Sequence, residues 1–510
     1  MNLIDFLFHA PKSDWIKFIF FFLGILFLMV FLELIRKKAD WSQEVSRKFI
    51  HISVGILVMF TPYYFESNRP IIWLSLIFLV VDLMAIRTGL LKGMHGTARV
   101  SYGTAFFPLS IFILLVFCWS GSKAVFMSSV LIMTIPDAFA AIVGENIKRP
   151  HRYRLGKDEK SIEGSLVMFF TTLICIALAL PVFIRLDSYE ITGPVLWIAG
   201  ITACMATALE AISSKGSDNL TVPLGSALFL YIMSKNSTGE NLQLVTGLFM
   251  ALVIAVLSCR VRFLSPSGSM GTFILATIIF GLGGWSWTVP ILTFFILSSL
   301  LSKTGRKRKQ KLETVFEKSG RRDIGQVMAN GGLPGVLVIL NIFFPHPFWY
   351  YGYLSALAAV NADTWATEIG VLSKTGPRLI TTGKPVAHGI SGGITPLGLL
   401  GAFLGSLIIV LTGLLFYPEN AKLMITQPLF YLILFSGFFA TIMDSLLGAT
   451  LQGQYQCSIC RTKTEKRIHC DQSTSHISGW FWMNNDMVNL VCAVSGVFFV
   501  FFGWMSGISH

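Results

Sequence analysis

Apolar runs broken by short polar connectors recur from one end of the chain to the other. Each is about 15–25 residues long, the length an α-helix needs to cross a bilayer. They place helical spans near 15–35, 49–65, 70–86, 104–118, 124–145, 164–184, 194–212, 220–234 and 241–259. Further spans follow near 270–284, 286–302, 333–345, 348–370, 394–416, 428–450 and 487–505. The short segments 220–234 and 270–284 are also readable as re-entrant. No long soluble domain remains between the runs. The fold class expected is therefore all-α: a polytopic integral membrane protein with about 16 transmembrane helices in two related halves, 1–260 and 261–510.

Composition agrees. The 510 residues are 54% hydrophobic and 13% charged, where a soluble domain carries about 25% charged residues. If alternate connectors share a side, 33 of the 40 Lys and Arg residues fall on one side. They form the clusters Arg36–Lys38 with Arg47 and Lys48, Arg87–Arg99, Lys148–Lys160, Lys215, Arg260–Arg262, Lys303–Arg322, Lys374–Lys384 and Arg461–Arg467. The positive-inside rule makes that side cytoplasmic and turns both termini outward. Such loops serve topology, or attract nucleotide or lipid phosphate; the run 306–311 reads as a solvated loop. No basic helix or aromatic platform suggests nucleic acid. The N-terminus, with Asp5 and Asp14 and no small-residue cleavage site, does not look like a cleaved signal or transit peptide. A bacterial inner membrane is the simplest location.

Acids within the apolar pattern are functional candidates, because charge is costly in lipid. Asn361-Ala-Asp-Thr-Trp-Ala-Thr-Glu-Ile-Gly370 holds Asp363 and Glu368 at the end of a long apolar run. An earlier echo, Asp137-Ala-Phe-Ala-Ala-Ile-Val-Gly144, shares the pattern D-x-x-A-x-x-x-G. Pro136 frees a carbonyl beside Asp137 and can open the helix there. Arg47 and His51 share a helix face next to Lys48; they hold a phosphate, or else are snorkelling anchors with a buried His. The basic loop after Asp137 ends at Lys160-Ser-Ile-Glu-Gly-Ser165, a helix start suited to phosphate, with Lys157 and Lys160 as charged contacts. Glu163 suits Mg²⁺ or caps that helix. Glu210, Asp218 and Asn219 return hard oxygen ligands to the same side, again suited to Mg²⁺.

In the second half, Arg321, Arg322, Asp323, Gln326 and Asn330 bring donors to a membrane border and form a candidate phosphate clamp. Lys384 and the Gly-rich His388-Gly-Ile-Ser391-Gly392-Gly393 follow as a candidate anion nest. The G-x-S-x-G within it is no hydrolase elbow, since no strand precedes it. Asp444, Asn485, Asp486 and Asn489 are polar at the last borders. The parts repeat in order: 137→163→210→218 against 363→392→444→486. Of the eight Cys, Cys118, Cys175, Cys204, Cys259 and Cys492 are packing residues of spans. Cys457, Cys460 and Cys470 with His469 or His476 make a candidate Zn²⁺ site, or stay free thiols in a reducing cytoplasm.

The first half resembles the polyprenol kinase family, which includes phytol kinase and dolichol kinase. The resemblance rests on Arg47-Lys48-x-x-His51, Tyr102-Gly-Thr104, Asp137-x-x-Ala-x-x-x-Gly144, Lys160-Ser-x-Glu-Gly-Ser165 and Asp218-Asn-Leu-Thr-Val-Pro223. It implies CTP-dependent phosphorylation of a membrane isoprenoid alcohol. The second half resembles the family of TMEM19-like proteins and phytyl-phosphate kinase. That rests on Arg322-Asp-x-x-Gln-Val-x-x-Asn-Gly-Gly332, Ala362-Asp-Thr-Trp-Ala-Thr-Glu368, Ser391-Gly-Gly393, Asp444-Ser-Leu-Leu-Gly-Ala449, Cys457-x-x-Cys460 and Asn485-Asp-x-Val-Asn489. It implies phosphorylation of an isoprenyl monophosphate to its diphosphate.

The expected function is thus a bifunctional isoprenoid kinase, with CTP as donor and Mg²⁺ as cofactor. Mg²⁺ is assigned to Asp137, Asp218, Asp363, Asp444 and Asp486. Glu163 and Glu368 join those acids as catalytic candidates. Glu368 has no counterpart in the first copy. The alternatives are a CDP-lipid-forming cytidylyltransferase and a polyprenyl-phosphate transporter. A P-loop ATPase is unsupported, as no G-x-x-x-x-G-K-[ST] occurs.

Overall fold

The structure, a computed structural model, describes residues 9–88, 101–187, 193–303, 321–416 and 427–506. The basic run 306–311, and Asp5, Lys92 and Arg99 of the charge pattern, lie outside the described residues. The chain is an all-α membrane protein that divides into two compact units, Met1–Val245 and Thr246–His510.

The first unit runs through α1 (Lys12–Ala39), α2 (Gln43–Met59), α3 (Thr61–Tyr64), α4 (Arg69–Thr88), α5 (Gly103–Cys118), α6 (Lys123–Thr134) and α7 (Pro136–Asn146). A hairpin, β1 (Arg152–Tyr153) and β2 (Lys160–Ser161), leads into α8 (Ile162–Asp187), α9 (Val195–Ile212) and α10 (Asp218–Lys235). At the centre is α6, buried from Ala124 through Thr134. Ser122 caps it by accepting from the Val125 N–H at 3.2 Å.

Helix α11 (Thr238–Arg260) leads into the second unit. There follow α12 (Pro266–Lys303), α13 (Ile324–Phe343), α14 (Pro347–Gly370), the hairpin β3 (Arg378–Leu379) and β4 (Gly393–Ile394), α15 (Pro396–Leu415) and α16 (Gln427–Thr450). Short strands β5 (Gln454–Gln456), β6 (Lys463–Thr464), β7 (Ile468–His469), β8 (Gln472–Ser473) and β9 (Ser475–Ser478) come next, then α17 (Asn485–Met505). They form a three-stranded sheet in the order β6-β5-β9 and a β7-β8 pair. The central helix here is α14, buried from Tyr350 through Ala362. Tyr350 donates its hydroxyl to the Gly413 carbonyl at 3.0 Å, and Tyr353 to that of Trp287. The phenols thus meet the need for a partner that burial imposes.

Among the described residues, eleven helices are long and apolar enough to cross a membrane. The expected sixteen are not confirmed. Residues 270–302 lie in α12, whose two helical stretches meet at non-helical backbone at Gly284 (φ 67°, ψ −160°), the boundary expected between 270–284 and 286–302. The helices at 49–65, 104–118, 220–234 and 348–370 are too short or too polar by that measure.

Candidate functional sites

In the first unit Pro136 ends α6 and opens α7, so Asp137 stands in the first turn of a new helix. Near this break His51 Nε2 donates to the Met133 carbonyl at 3.0 Å. Lys48, also on α2, pairs with Glu145 on α7. The β1–β2 hairpin carries Lys160, whose Nζ donates to Glu210 at 2.5 Å and lies 3.5 Å from Asp218. Burial alone would lower this ammonium. Glu210 and Asp218 outweigh that effect and hold it above the usual lysine range. Asp137 interacts electrostatically with Asp218, Lys160 and Glu210. Three carboxylates thus share one ammonium, and Glu210 Oε2 is buried without a hydrogen-bond partner.

A tight turn, Lys215 (φ 55°) and Gly216 (φ 83°), aims Asp218. A Cβ at Gly216 would lie 2.5 Å from the Gly103 nitrogen, so this position requires glycine. Asn219 Nδ2 donates to the Gly103 carbonyl at 3.1 Å and ties α10 to α5.

These groups line the polar end of a cavity of about 1080 Å³. Arg47, Lys48, His51, Asp137, Lys157, Lys160, Ser165, Glu210, Asp218 and Asn219 all border it. An apolar wall of Ile25, Val54, Ile71, Leu74 and Phe78 also borders it. Glu163 does not border the cavity: it takes the His151 ring at 2.6 Å and the His151 N–H at 3.1 Å. Asp82, which the sequence reading did not single out, does border it. Its signal was a lone acid within Leu79-Val-Val-Asp82-Leu-Met-Ala85.

In the second unit α14 carries Asp363 and α16 carries Asp444. Their carboxyl groups lie within hydrogen-bonding range of each other. Asp444 Oδ2 is buried without a hydrogen-bond partner. Helix α14 is locked in place by Asn361, fully buried, which accepts from Ser298 Oγ at 2.9 Å and donates to the Gly405 carbonyl at 2.7 Å. Asp323 and Gln326 form a capping box at the start of α13. Arg322, just before it, interacts with Glu368 and lies over the Phe294 ring at 5.6 Å. Ser391 donates to Glu465, and Gly392 (φ 78°) approaches α16 so closely that a Cβ would meet that of Ala449 at 2.5 Å. Asn489 Nδ2 donates to Asn330 Oδ1 at 3.3 Å.

A cavity of about 900 Å³ is bordered by Arg321, Arg322, Asn330, Asp363, Glu368, Ser391, Gly392, Asp444 and Glu465. A narrow apolar slot of about 80 Å³ shares Arg322, Gln326 and Asn330 with it and runs on between Leu275, Ile279 and Phe294. Lys384 is exposed on the hairpin and Asp486 lies in the first turn of α17; neither borders the cavity. Glu465 was missed, since only the folding of the Cys loop brings it to Ser391.

Both units follow one order: a central helical run that reaches an acid (Asp137 at the start of α7, Asp363 in α14), a hairpin, then three helices. The D-x-x-A-x-x-x-G motif explains the first junction. A Cβ at Gly164 would lie 3.0 Å from the Ala140 carbonyl and 3.4 Å from Gly144 Cα. At Gly398 it would lie 3.0 Å from the Ala366 carbonyl and 3.4 Å from Gly370 Cα. Ser161 and Thr395 cap the two following helices through the Gly164 and Gly398 N–H groups. The correspondence is therefore 161/164 to 395/398, which corrects the pairing of 163 with 392. Lys160 then matches Ile394, and Glu163 matches Leu397.

In the Cys loop, the ligand atoms of Cys457, Cys460, His469 and Cys470 all lie within 4.8 Å of one another. His476 is not in this group; its ring packs on Tyr455. Hydrogen bonds from Thr462 pull the Cys460 thiol down to about 6, whereas desolvation, then Cys460, pushes Cys470 up to about 11.

Residues 249–497 match the family described as integral membrane protein DUF92. Protein PGR of Arabidopsis thaliana is 32% identical over 278 residues, 50% of this chain and 93% of that protein. An uncharacterized membrane protein of Methanocaldococcus jannaschii is 32% identical over 213 residues, 41% of this chain and 84% of the relative. Phytol kinase of Synechocystis sp. is 32% identical over 204 residues, 39% of this chain and 83% of the kinase. No solved structure matches. On these overlaps the chain belongs to the DUF92 and phytol kinase-like family of integral membrane proteins.

Proposed function

We propose that the chain is a bifunctional isoprenoid kinase. Its first unit converts a membrane prenyl alcohol of the phytol, geranylgeraniol or farnesol type to the monophosphate, and its second makes the diphosphate. The observation that carries this reading is the pair of cavities, each joining apolar walls to a cluster of acids. In each cluster one buried carboxylate oxygen, Glu210 Oε2 or Asp444 Oδ2, has no hydrogen-bond partner. Such an oxygen suits a hard cation. Asp137, Glu210 and Asp218 would hold Mg²⁺ in the first unit, and Asp363 and Asp444 in the second; Asp486 stands between the cavity-lining Asn485 and Asn489 without itself bordering the cavity. Bound Mg²⁺ supplies neutralisation of phosphate charge.

The apolar wall of the first cavity, and the slot beside Arg322 in the second, take the prenyl chain. Lys160 with Arg47 and Lys48, and Arg321 with Arg322, receive the phosphates. The substrate oxygen bonds to the γ-phosphorus of CTP, the β–γ bridge breaks, CDP leaves, and any substrate proton passes to a cavity carboxylate. Positioning and charge neutralisation are most of what this chemistry needs. Both sites face the cytoplasm of a bacterial inner membrane in this reading, where the basic loops lie.

The test uses the full chain in detergent or liposomes with a prenyl alcohol, Mg²⁺ and labelled CTP. Asp137→Asn makes no monophosphate, and Asp363→Asn accumulates it. Identical product patterns in the two variants would overturn the two-site reading. Label transferred from the α-phosphate identifies a cytidylyltransferase instead. Absence of any nucleotide-dependent lipid product in the wild type favours transport.

A further inference from the structure

The geometry points to a structural zinc site in the second unit, formed by Cys457, Cys460, His469 and Cys470. The three distances among Cys460, His469 and Cys470 are close to those of a tetrahedral site, and Cys457 Sγ lies within 4.8 Å of all three. Zn–S bonds of about 2.3 Å and Zn–N bonds of about 2.0–2.1 Å imply S···S near roughly 3.8 Å and S···N near roughly 3.5 Å. Cys460 and Cys470 Sγ are 3.9 Å apart, and His469 Nδ1 lies 3.5 Å from Cys460 Sγ and 3.2 Å from Cys470 Sγ. None of these cysteines is in a disulfide.

The backbone is arranged for the same purpose. The Cys457 N–H donates to the Thr462 carbonyl, and the Arg461 N–H returns to the Cys457 carbonyl, closing a knuckle around Cys-x-x-Cys. Arg461, Cys470 and Asp471 have φ of 55°, 51° and 57°, half of the six non-glycine residues with positive φ among the described ones. Side chains bearing a Cβ disfavour that conformation, so something must hold it.

The segment lacks an apolar core that would do so. Between Gln452 and Asn484 the only large buried apolar side chains are Tyr455 and Met483. A small sheet this poor in core needs a metal or a disulfide. All four ligand positions belong to the protein and none borders the cavity, so the metal is structural and not catalytic. What it holds is Glu465, next to strand β6, against Ser391 at the cavity wall.

The full chain, purified without added metal, is expected to contain about one zinc per chain by elemental analysis. A mercurial thiol reagent releases that zinc to a chromogenic chelator. His469→Ala loses it, while His469→Cys, which keeps a four-ligand set, retains it. Should His469→Ala fail to fold, wild-type protein stripped with a strong chelator is digested briefly with protease. Cleavage within 457–476 then rises and is reversed by zinc. Metal-free protein whose three thiols react at the rate of the unfolded chain would overturn the site, as would iron in its place. These readouts do not depend on kinase activity.

Discussion

Replacing Lys160 by Met would leave Glu210 and Asp218 facing each other with no cation between them. Both ends of the pair are largely buried, at 19% and 9% side-chain exposure, and removing one partner of such a pair costs about 3–5 kcal/mol. Thermal unfolding of Lys160→Met should show that loss; Lys160→Arg should recover most of it. The pH dependence follows from the direction of the shift. A lysine raised in the fold contributes stability fully below its unfolded value of about 10.4, and loses it only as pH rises through the higher folded value. Stability owed to Lys160 should therefore be flat from about pH 6 to 9. A wild-type decline in that window, absent from Lys160→Met, would contradict the assignment. At this scale the sequence was informative where chemistry and spacing coincide, as for Asp137, Lys160 and Asp218. It left Glu163 open between metal ligand and cap, because an acid at a helix start looks the same whether it faces a cavity or its own loop. Glu465 was illegible, since its neighbour Ser391 is distant in sequence.

Among the elements, the crossing of α14 and α15 is the clearest case of sequence setting geometry. Gly398, Gly401 and Gly405 line one face of α15. Added Cβ atoms there would come within 3.0, 2.9 and 3.0 Å of the Ala366, Trp365 and Asn361 carbonyls. Small residues at this spacing let helices in a membrane approach closely. Gly405→Leu should overpack the contact, at a cost of about 1–3 kcal/mol, and strain the Asn361 bond that fixes Asp363. The check is unfolding in detergent together with conversion of monophosphate to diphosphate. Wild-type values for both would mean that the crossing does not position the acid. Pro136 gave notice of the α6–α7 break because it cannot donate within a helix. The break at Gly284 was also legible, since the apolar runs on either side read as two spans, 270–284 and 286–302.

Among the described residues each unit has one large cavity bordered by acids, and a supplied intermediate can test the two separately. Given prenyl monophosphate instead of the alcohol, Asp137→Asn should make diphosphate at close to the wild-type rate, whereas Asp363→Asn should lose it by a factor of about 10² or more. Equal impairment of both variants on this substrate would show that the units do not act as separate catalysts. The α-helical membrane architecture was legible from periodicity alone. The number of spans was not, because helices buried within a unit can be short or polar and still lie at membrane depth.

The close glycine contacts at the two helix crossings also bear on how this chain should be compared with others. Residues that carry charge can be supplied from a different element and still serve a cavity: Lys160 has Ile394 opposite it in the repeat, and the second cavity takes Arg322 from the start of α13. A glycine beneath a neighbouring carbonyl has no such freedom, since its place is fixed by contact. Alignments of the two halves, or of distant relatives, anchored on Gly144 with Gly164 and Gly370 with Gly398 should therefore keep register where those anchored on basic or acidic residues slip. For this chain the packing positions are the ruler, and the chemistry is read off against them.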